Sequence, residues 1–196
     1  GNWTAKAFGL AVSPDGISWT RSISNPVFWP GTPGYWGSPV VTLAEGSGGA
    51  LLDGFTLTGG DAPQGAGVLV ENGPAVTLLH LTVPGNHGGD GGGIRVVNGA
   101  TALISATAIV SNTATWGGGV LVDLGGSATI VGSDIRGNTA EDSGGGIDAW
   151  WPGSRVDISR STVAGNSARQ GGGIHATEDA AVHLTQVTLV DNTAGE

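Results

Sequence analysis

The sequence predicts an all-β solenoid, a right-handed parallel β-helix of about six rungs of 26–27 residues. Three observations carry this. A glycine cluster returns at a near-constant interval. Aliphatic residues fall into columns when the chain is folded at that interval. An asparagine recurs near the end of five of the six repeats. The cluster reads Gly91-Gly92-Gly93-Ile94, Gly117-Gly118-Gly119-Val120, Gly144-Gly145-Gly146-Ile147 and Gly171-Gly172-Gly173-Ile174, with a weaker first copy, Gly65-Ala66-Gly67-Val68. Successive copies start 26, 26, 27 and 27 residues apart. A period in this range marks stacked repeats, each one turn of a rod.

Residues 1–38 stand apart. They hold most of the aromatic residues, Trp3, Phe8, Trp19, Phe28, Trp29, Tyr35 and Trp36, and four of the nine prolines. Ala7 to Val12 reads as a strand, Ser13-Pro14-Asp15-Gly16 as a tight turn, and Ile17 to Ser22 as the returning strand of a hairpin. This segment, 1–38, is expected to be a separate β-hairpin or an N-terminal cap. The solenoid follows over 39–196.

Folding the solenoid at its period gives rungs over 39–64, 65–90, 91–116, 117–143, 144–170 and 171–196. Val68, Ile94, Val120, Ile147 and Ile174 form the column after the glycines. Leu78, Ile104, Ile130, Ile158 and Leu184 form a second, and Leu57, Val83, Ile109, Ile135, Val163 and Leu189 a third. Residues between the columns vary, the period-2 pattern of strands with one face in a shared core. Three short strands per turn are expected. Val, Ile and Thr enrichment and glycine-punctured runs argue against helical repeats. The right hand follows from the rule for parallel crossovers. Asn86, Asn112, Asn138, Asn166 and Asn192 each lie three residues past a third-column aliphatic, so a structural amide ladder at a corner is predicted. Gly93, Gly119, Gly146 and Gly173 are read as structural too, at a corner where backbones pass closely. No Gly-Lys-Ser/Thr follows the glycines, which excludes a phosphate loop.

Composition limits the function. Glycine numbers 38, without the Gly-X-Y order of collagen. A net charge of −9, with Lys6 the one lysine, argues against a nucleic-acid partner. The absence of cysteine excludes disulfides, thiolate chemistry and Cys-based zinc sites. No run of 18 apolar residues occurs, so no transmembrane helix is expected. The chain begins at Gly1 and stops where a further glycine cluster would fall. It therefore reads as an excerpt of a longer parent with further domains, truncated at its C-terminus.

Two resemblances add to this reading. Gly9-Leu10-Ala11-Val12-Ser13-Pro14-Asp15-Gly16-Ile17-Ser18-Trp19, with Asn25-Pro26-Val27-Phe28 and Pro30-Gly31, resembles one blade of the five-bladed β-propeller glycosidases. The Ser-Pro-Asp-Gly turn is mainly structural in that family, so no catalytic role passes to Asp15. The pairing of Gly-Gly-Gly-Ile/Val with Ile/Val/Leu-x-x-Asn, over 65–196, resembles the repeats of polymorphic outer-membrane proteins and other bacterial β-helix surface proteins. Those repeats typically read Gly-Gly-Ala-Ile and Phe-x-x-Asn. This resemblance implies a secreted or surface-attached adhesive module.

The candidate chemistry lies on the outward face after the glycines. That column reads Leu69, Arg95, Leu121, Asp148, His175, and its neighbour Glu71, Val97, Asp123, Trp150, Thr177. Asp123 and Asp148 on adjacent rungs, with His175 one rung on, are the candidate catalytic residues, since paired carboxylates can serve acid–base cleavage of a glycoside. The competing expectation is a solvated face with scattered charge. Trp116, Trp150 and Trp151 are candidate carbohydrate contacts, because an indole offers a flat apolar face to a sugar ring. Trp150-Trp151-Pro152 sits in a turn enlarged by one residue. Asp61, Asp90 and Asp142 precede glycine clusters in predicted turns and are candidate metal ligands, with Ca²⁺ the one cofactor considered. The four histidines share no ligand spacing and are expected in turns or at solvent. Thr56, Thr82, Thr162 and Thr188 align, but Ala108 and Asp134 interrupt them, against an ice-binding face.

The expected function is a non-catalytic extracellular or cell-surface module for adhesion or contact with a polysaccharide or surface glycan. The alternative is a carbohydrate-active enzyme, a polysaccharide lyase or glycoside hydrolase, or a fragment of one.

Overall fold

The computed structural model describes residues 39–73 and 75–195, together with the backbone of Ser18–Trp19 and Val27–Phe28. It is a parallel solenoid of about six turns with no helix among the described residues. The predicted strand from Ala7 to Val12 and the Ser-Pro-Asp-Gly turn lie outside the described residues.

Each full turn carries four short strands, not three. The first follows the glycine cluster, as in Ile94–Val97; the second is Thr101–Ser105; the third is Ala108–Val110; the fourth is Thr113–Trp116. Like strands stack in parallel into four sheets, two of six strands and two of seven. Ser18–Trp19 pairs with Leu51–Asp53, and Val27–Phe28 with Thr56–Leu57, adding a strand to the second and third sheets. The fourth strand falls between the asparagine and the glycines, where turns were expected. Its sequence, such as His-Gly-Gly-Asp in His87–Asp90, has little strand propensity of its own. Pairing with the rungs above and below holds it extended.

The core follows the predicted columns. Ile94, Ile104 and Ile109 register on Val120, Ile130 and Ile135 in the next turn, and all six are fully buried. Burial of each such side chain is worth about 1.5–3 kcal/mol. On the last turn, Leu184 and Leu189 remain exposed on the end of the rod.

The asparagine ladder is complete. Asn112 Nδ2 donates to Asn138 Oδ1 at 3.0 Å and to the Val83 carbonyl at 2.8 Å, while its backbone N–H donates to the same Oδ1 at 2.9 Å. The pattern repeats from Asn86 to Asn192. A second ladder, unforeseen from sequence, lines the corner between the second and third sheets. Leu81 N–H donates to Thr107 Oγ1, Thr107 N–H to Ser133 Oγ, and Ser133 N–H to Ser161 Oγ. Each hydroxyl in turn donates to the carbonyl two residues earlier. Phe55 and Leu81 hold this position on the earlier turns, fully buried, so an apolar side chain and a self-satisfied hydroxyl are interchangeable there.

The glycine cluster keeps the backbone ladder unbroken through its corner: Gly91, Gly92, Gly93 and Ile94 N–H donate to the carbonyls of Trp116, Gly117, Gly118 and Gly119 at 2.9–3.1 Å. Gly144 has φ +64°, left-handed backbone that suits glycine. Its fold-back leaves no room for a side chain against Asp148. At Gly146 a Cβ would strike the Gly173 carbonyl of the next rung.

Candidate functional site

The sharp glycine corner bends the fourth strand over the outward face of the first sheet. The expectation of a solvated face is therefore corrected. Arg95 is 5% exposed, Leu121 1%, Asp123 4% and Asp148 1%. Register places Asp90, Trp116, Ser143 and Gln170 in one column of the fourth strands. Arg95, Leu121, Asp148 and His175 form the facing column of the first sheet. Residues five apart in sequence thus face each other across the corner.

Chemistry is matched across that elbow. Arg95 Nη1 lies 2.9 Å from Asp90 Oδ2, an ion pair outside hydrogen-bond angles. The same guanidinium grips Asp123 bidentately, Nε to Oδ1 at 3.2 Å and Nη2 to Oδ2 at 2.7 Å. Burial pushes the Asp90 carboxyl above its ordinary value, against the opposing pull of Arg95, with the Asp123 charge adding to the rise. Asp123 is thus the counter-ion of a buried arginine. One turn further on, Ser143 Oγ donates to Asp148 Oδ2 at 2.5 Å, and His175 Nδ1 lies 2.9 Å from Asp148 Oδ1. With the aspartate between serine and histidine, this is not the relay of a serine hydrolase, in which histidine bridges the two. The structure does not bring Asp123 and Asp148 together as a free acid–base pair, because each carboxylate has protein partners on both oxygens.

The two 27-residue intervals hold the most informative departures from regularity. In the first, Ala114 registers on Ala140 but Trp116 on Ser143, so the extra residue is a β-bulge at Glu141 and Asp142. Bulges re-aim side chains. Here Asp142 Oδ2 accepts from Trp116 Nε1 at 3.1 Å, and Oδ1 accepts from Arg169 Nε at 2.9 Å. The Arg169 and Trp116 hydrogen bonds hold the Asp142 carboxyl below its ordinary value. In the second interval, Val122 registers on Ala149 and Ala128 on Val156, so the extra residue lies in the connection 150–154. Trp150 and Trp151 stand in that connection. Ser154 ties it down, its Oγ donating to the Trp150 carbonyl at 2.6 Å and accepting from Gly125 N–H at 3.2 Å.

The two irregularities meet. The Trp116 and Trp150 ring centroids are 6.0 Å apart, and those of Trp150 and Trp151 are 5.6 Å apart, tilted by 40° and 31°. All three candidate tryptophans thus form one cluster at the mouth of the elbow. Trp151 is 41% exposed with φ +77°. A bulky side chain rarely adopts left-handed backbone, so the turn holds this indole outward against a local strain. Leu124, in the equivalent turn one rung earlier, is also left-handed, φ +49°, and exposed. Asn72 and Asn98 take this conformation on the two rungs before, where it is ordinary for asparagine.

The metal candidates are corrected in placement. Asp61, Asp90 and Asp142 lie on fourth-sheet strands, not in turns. Asp61 registers on His87, Asp90 pairs with Arg95, and Asp142 with Arg169. Among the described residues no three His, Cys, Asp or Glu side chains gather as metal ligands. His80 and His183 are exposed beside Asp53 and Asp157, while the His175 side chain is half-buried. The threonine column stacks as aligned, through Ala108 and Asp134. No helix among the described residues is long and apolar enough to cross a membrane.

A parallel solenoid with a fourth sheet bent over its first defines a β-helix protein. The chain belongs to the right-handed β-helix family, whose model, described as "Right handed beta helix region", matches residues 41–195. No curated protein and no solved structure matches it.

Proposed function

We propose that the chain is a carbohydrate-contacting module whose ligand sits on Trp150 and Trp151 at the mouth of the elbow. One observation carries this reading. The two residues that break the 26-residue period lie on different sheets and different rungs, yet they border a single cluster of three indoles. Regular repeats depart from their rule where a function requires it. The exposed Trp151 indole supports sugar stacking, because it offers a flat apolar face to a sugar ring beside Trp150.

The surrounding polar groups are engaged in ways that suit binding more than turnover. Asp123 and Asp148 are buried and paired, whereas Asp142 and Arg169 are partly exposed. We therefore place this module among non-catalytic glycan or adhesion surfaces, outside the cell or on its surface. The resemblance to bacterial surface repeats supports that location. The alternative, a lyase or hydrolase, would draw on His175, whose ring is oriented by Asp148.

A glycan array, followed by a reducing-end release assay on every ligand found, tests the reading. Binding without release is expected, and Trp151→Ala is expected to abolish it. Release of reducing ends that His175→Ala removes would overturn the non-catalytic assignment. Binding unchanged in Trp151→Ala would remove the site.

A further inference from the structure

The groups around the indoles also define which sugars fit. This inference rests on the carbohydrate reading above. We infer that the ligand is a neutral glycan presenting neighbouring hydroxyls, not a uronate or otherwise anionic polysaccharide.

Two observations combine. The first is charge. The elbow around the tryptophans holds four carboxylates, Asp90, Asp123, Asp142 and Asp148, against two guanidinium groups, Arg95 and Arg169. Arg95 is buried with Asp90 and Asp123 and has no free face for a ligand. Arg169 is already neutralised by Asp142. A carboxylate-bearing sugar chain would bring one charge per residue to a surface with net negative charge and no unpaired cation at the platform. Like-charge juxtaposition of this kind discriminates against a ligand.

The second is hydrogen-bond geometry. A sugar hydroxyl both donates and accepts, so adjacent hydroxyls match a donor beside an acceptor. Asp142 and Arg169 present that pair at the rim, the carboxylate anchored by Trp116 and the guanidinium more than half exposed. Asp148 adds a third group. Its Oδ2 is held by Ser143, so its Oδ1 faces a ring nitrogen that must donate. In the neutral form of the ring that places the proton on Nδ1 and makes Nε2 an acceptor. The His175 side chain is 22% exposed. The resulting set is an apolar platform with acceptor, donor and acceptor around it, which recognises hydroxyls and carries no spare positive charge.

Titration calorimetry of the whole chain tests this. The probes are hexamers of neutral sugars (gluco-, xylo-, manno- and galacto-configured) and oligogalacturonate, in 0.15 M and 0.5 M salt. At least one neutral hexamer is expected to bind at least tenfold more tightly than oligogalacturonate, with little change between the two salts. Asp142→Ala is expected to weaken that binding by tenfold or more, with a melting temperature only slightly lowered by loss of the partly exposed Arg169 pair. Should Asp142→Ala melt early, His175→Gln at the same rim carries the measurement, with the same expectation. Equal or tighter binding of oligogalacturonate would overturn the assignment of ligand class while leaving carbohydrate binding intact. Neutral binding that neither substitution affects would overturn the roles of the rim. No binding to any hexamer would instead remove the carbohydrate reading on which this inference rests.

Discussion

Ser143 and Asp148 are five residues apart and lie on different sheets, yet the serine hydroxyl donates to the buried carboxylate at 2.5 Å across a corner of three glycines. The contact exists because Gly144 turns the chain through left-handed backbone directly over Asp148. Gly144→Ala combines a left-handed alanine, costing about 1–2 kcal/mol, with a clash against the Asp148 side chain. Gly165 has a similar φ of +60° but open space around it. Gly165→Ala is expected to cost only the backbone part. Thermal melts of the two variants should separate clearly, with Gly144→Ala the less stable. Equal melting temperatures would mean that the elbow opens without penalty.

The elbow itself was only partly legible. The inward columns announced themselves, because a shared core imposes aliphatic residues at every period. The asparagine ladder was equally plain, since each amide satisfies its neighbours and recurs for that reason. The fourth strand left no such mark: Asp61–Gln64 and His87–Asp90 lack alternation, and inter-rung pairing alone extends them. Without that strand, Arg95 and Asp148 read as solvated. The five-residue spacing of Asp90 with Arg95, and of Ser143 with Asp148, was available as a signal, but it acquires meaning only once the glycines are known to fold back. The two 27-residue intervals were visible in the sequence, while the meeting of their extra residues depended on register.

Asp123 and Asp90 both contact Arg95, and the two contacts should differ sharply in worth. Asp123 meets the guanidinium bidentately and both partners are buried, so Asp123→Ala leaves a buried charge with one poorly aligned neighbour. Breaking such a pair typically costs about 3–5 kcal/mol. Asp90 is held above its ordinary pKa by burial. A group raised in this way favours folding below its unfolded pKa, and that advantage is lost as pH rises through the folded value. At neutral pH its ionised form therefore brings little net stability, and Asp90→Asn should change stability by under about 1 kcal/mol. Urea denaturation at pH 7 measures both, and comparable losses would contradict this division.

Asn138 lies in the middle of its ladder. Its Oδ1 accepts from both the backbone N–H and the side-chain amide of Asn112, and its own Nδ2 donates to Asn166 and to the Ile109 carbonyl. Asn138→Ala orphans several of these buried groups at once. At about 1–3 kcal/mol for each group left unsatisfied, the variant should lose a large part of the rod's stability. Asn192→Ala, at the less buried end, should lose markedly less. Hydrogen exchange at Asn112 N–H would report the broken rung directly, and protection unchanged in Asn138→Ala would argue against the ladder's role.

Asp142 gives a pH signature of the opposite sign to Asp90. Its folded pKa is lowered, first by the Arg169 hydrogen bond and then by that of Trp116. A depressed carboxyl contributes stability above its unfolded value, near about 3.9, and loses it as pH falls through the lower folded value. The pair with Arg169 is partly exposed, so the contribution is small and weakens in salt. Wild type and Asp142→Asn should therefore differ in melting temperature near pH 6 and converge below about pH 3. A difference that grows on acidification would contradict the assignment.

Trp151 separates stability from binding most directly. Its φ of +77° suits glycine and strains an indole, while the contact with Trp150 returns part of that strain. Trp151→Gly relieves a left-handed backbone worth about 1–2 kcal/mol and forfeits an aromatic contact worth about 0.5–1.5 kcal/mol. The melting temperature should therefore hold or rise. A residue kept only for the fold would behave in the opposite way, since its removal would lower stability. Glycan affinity, by contrast, should fall by tenfold or more, because the platform loses its exposed face. Melting and calorimetry on the same preparation measure both quantities. A variant that melts earlier and still binds would reassign Trp151 to packing and move the contact surface elsewhere on the rod.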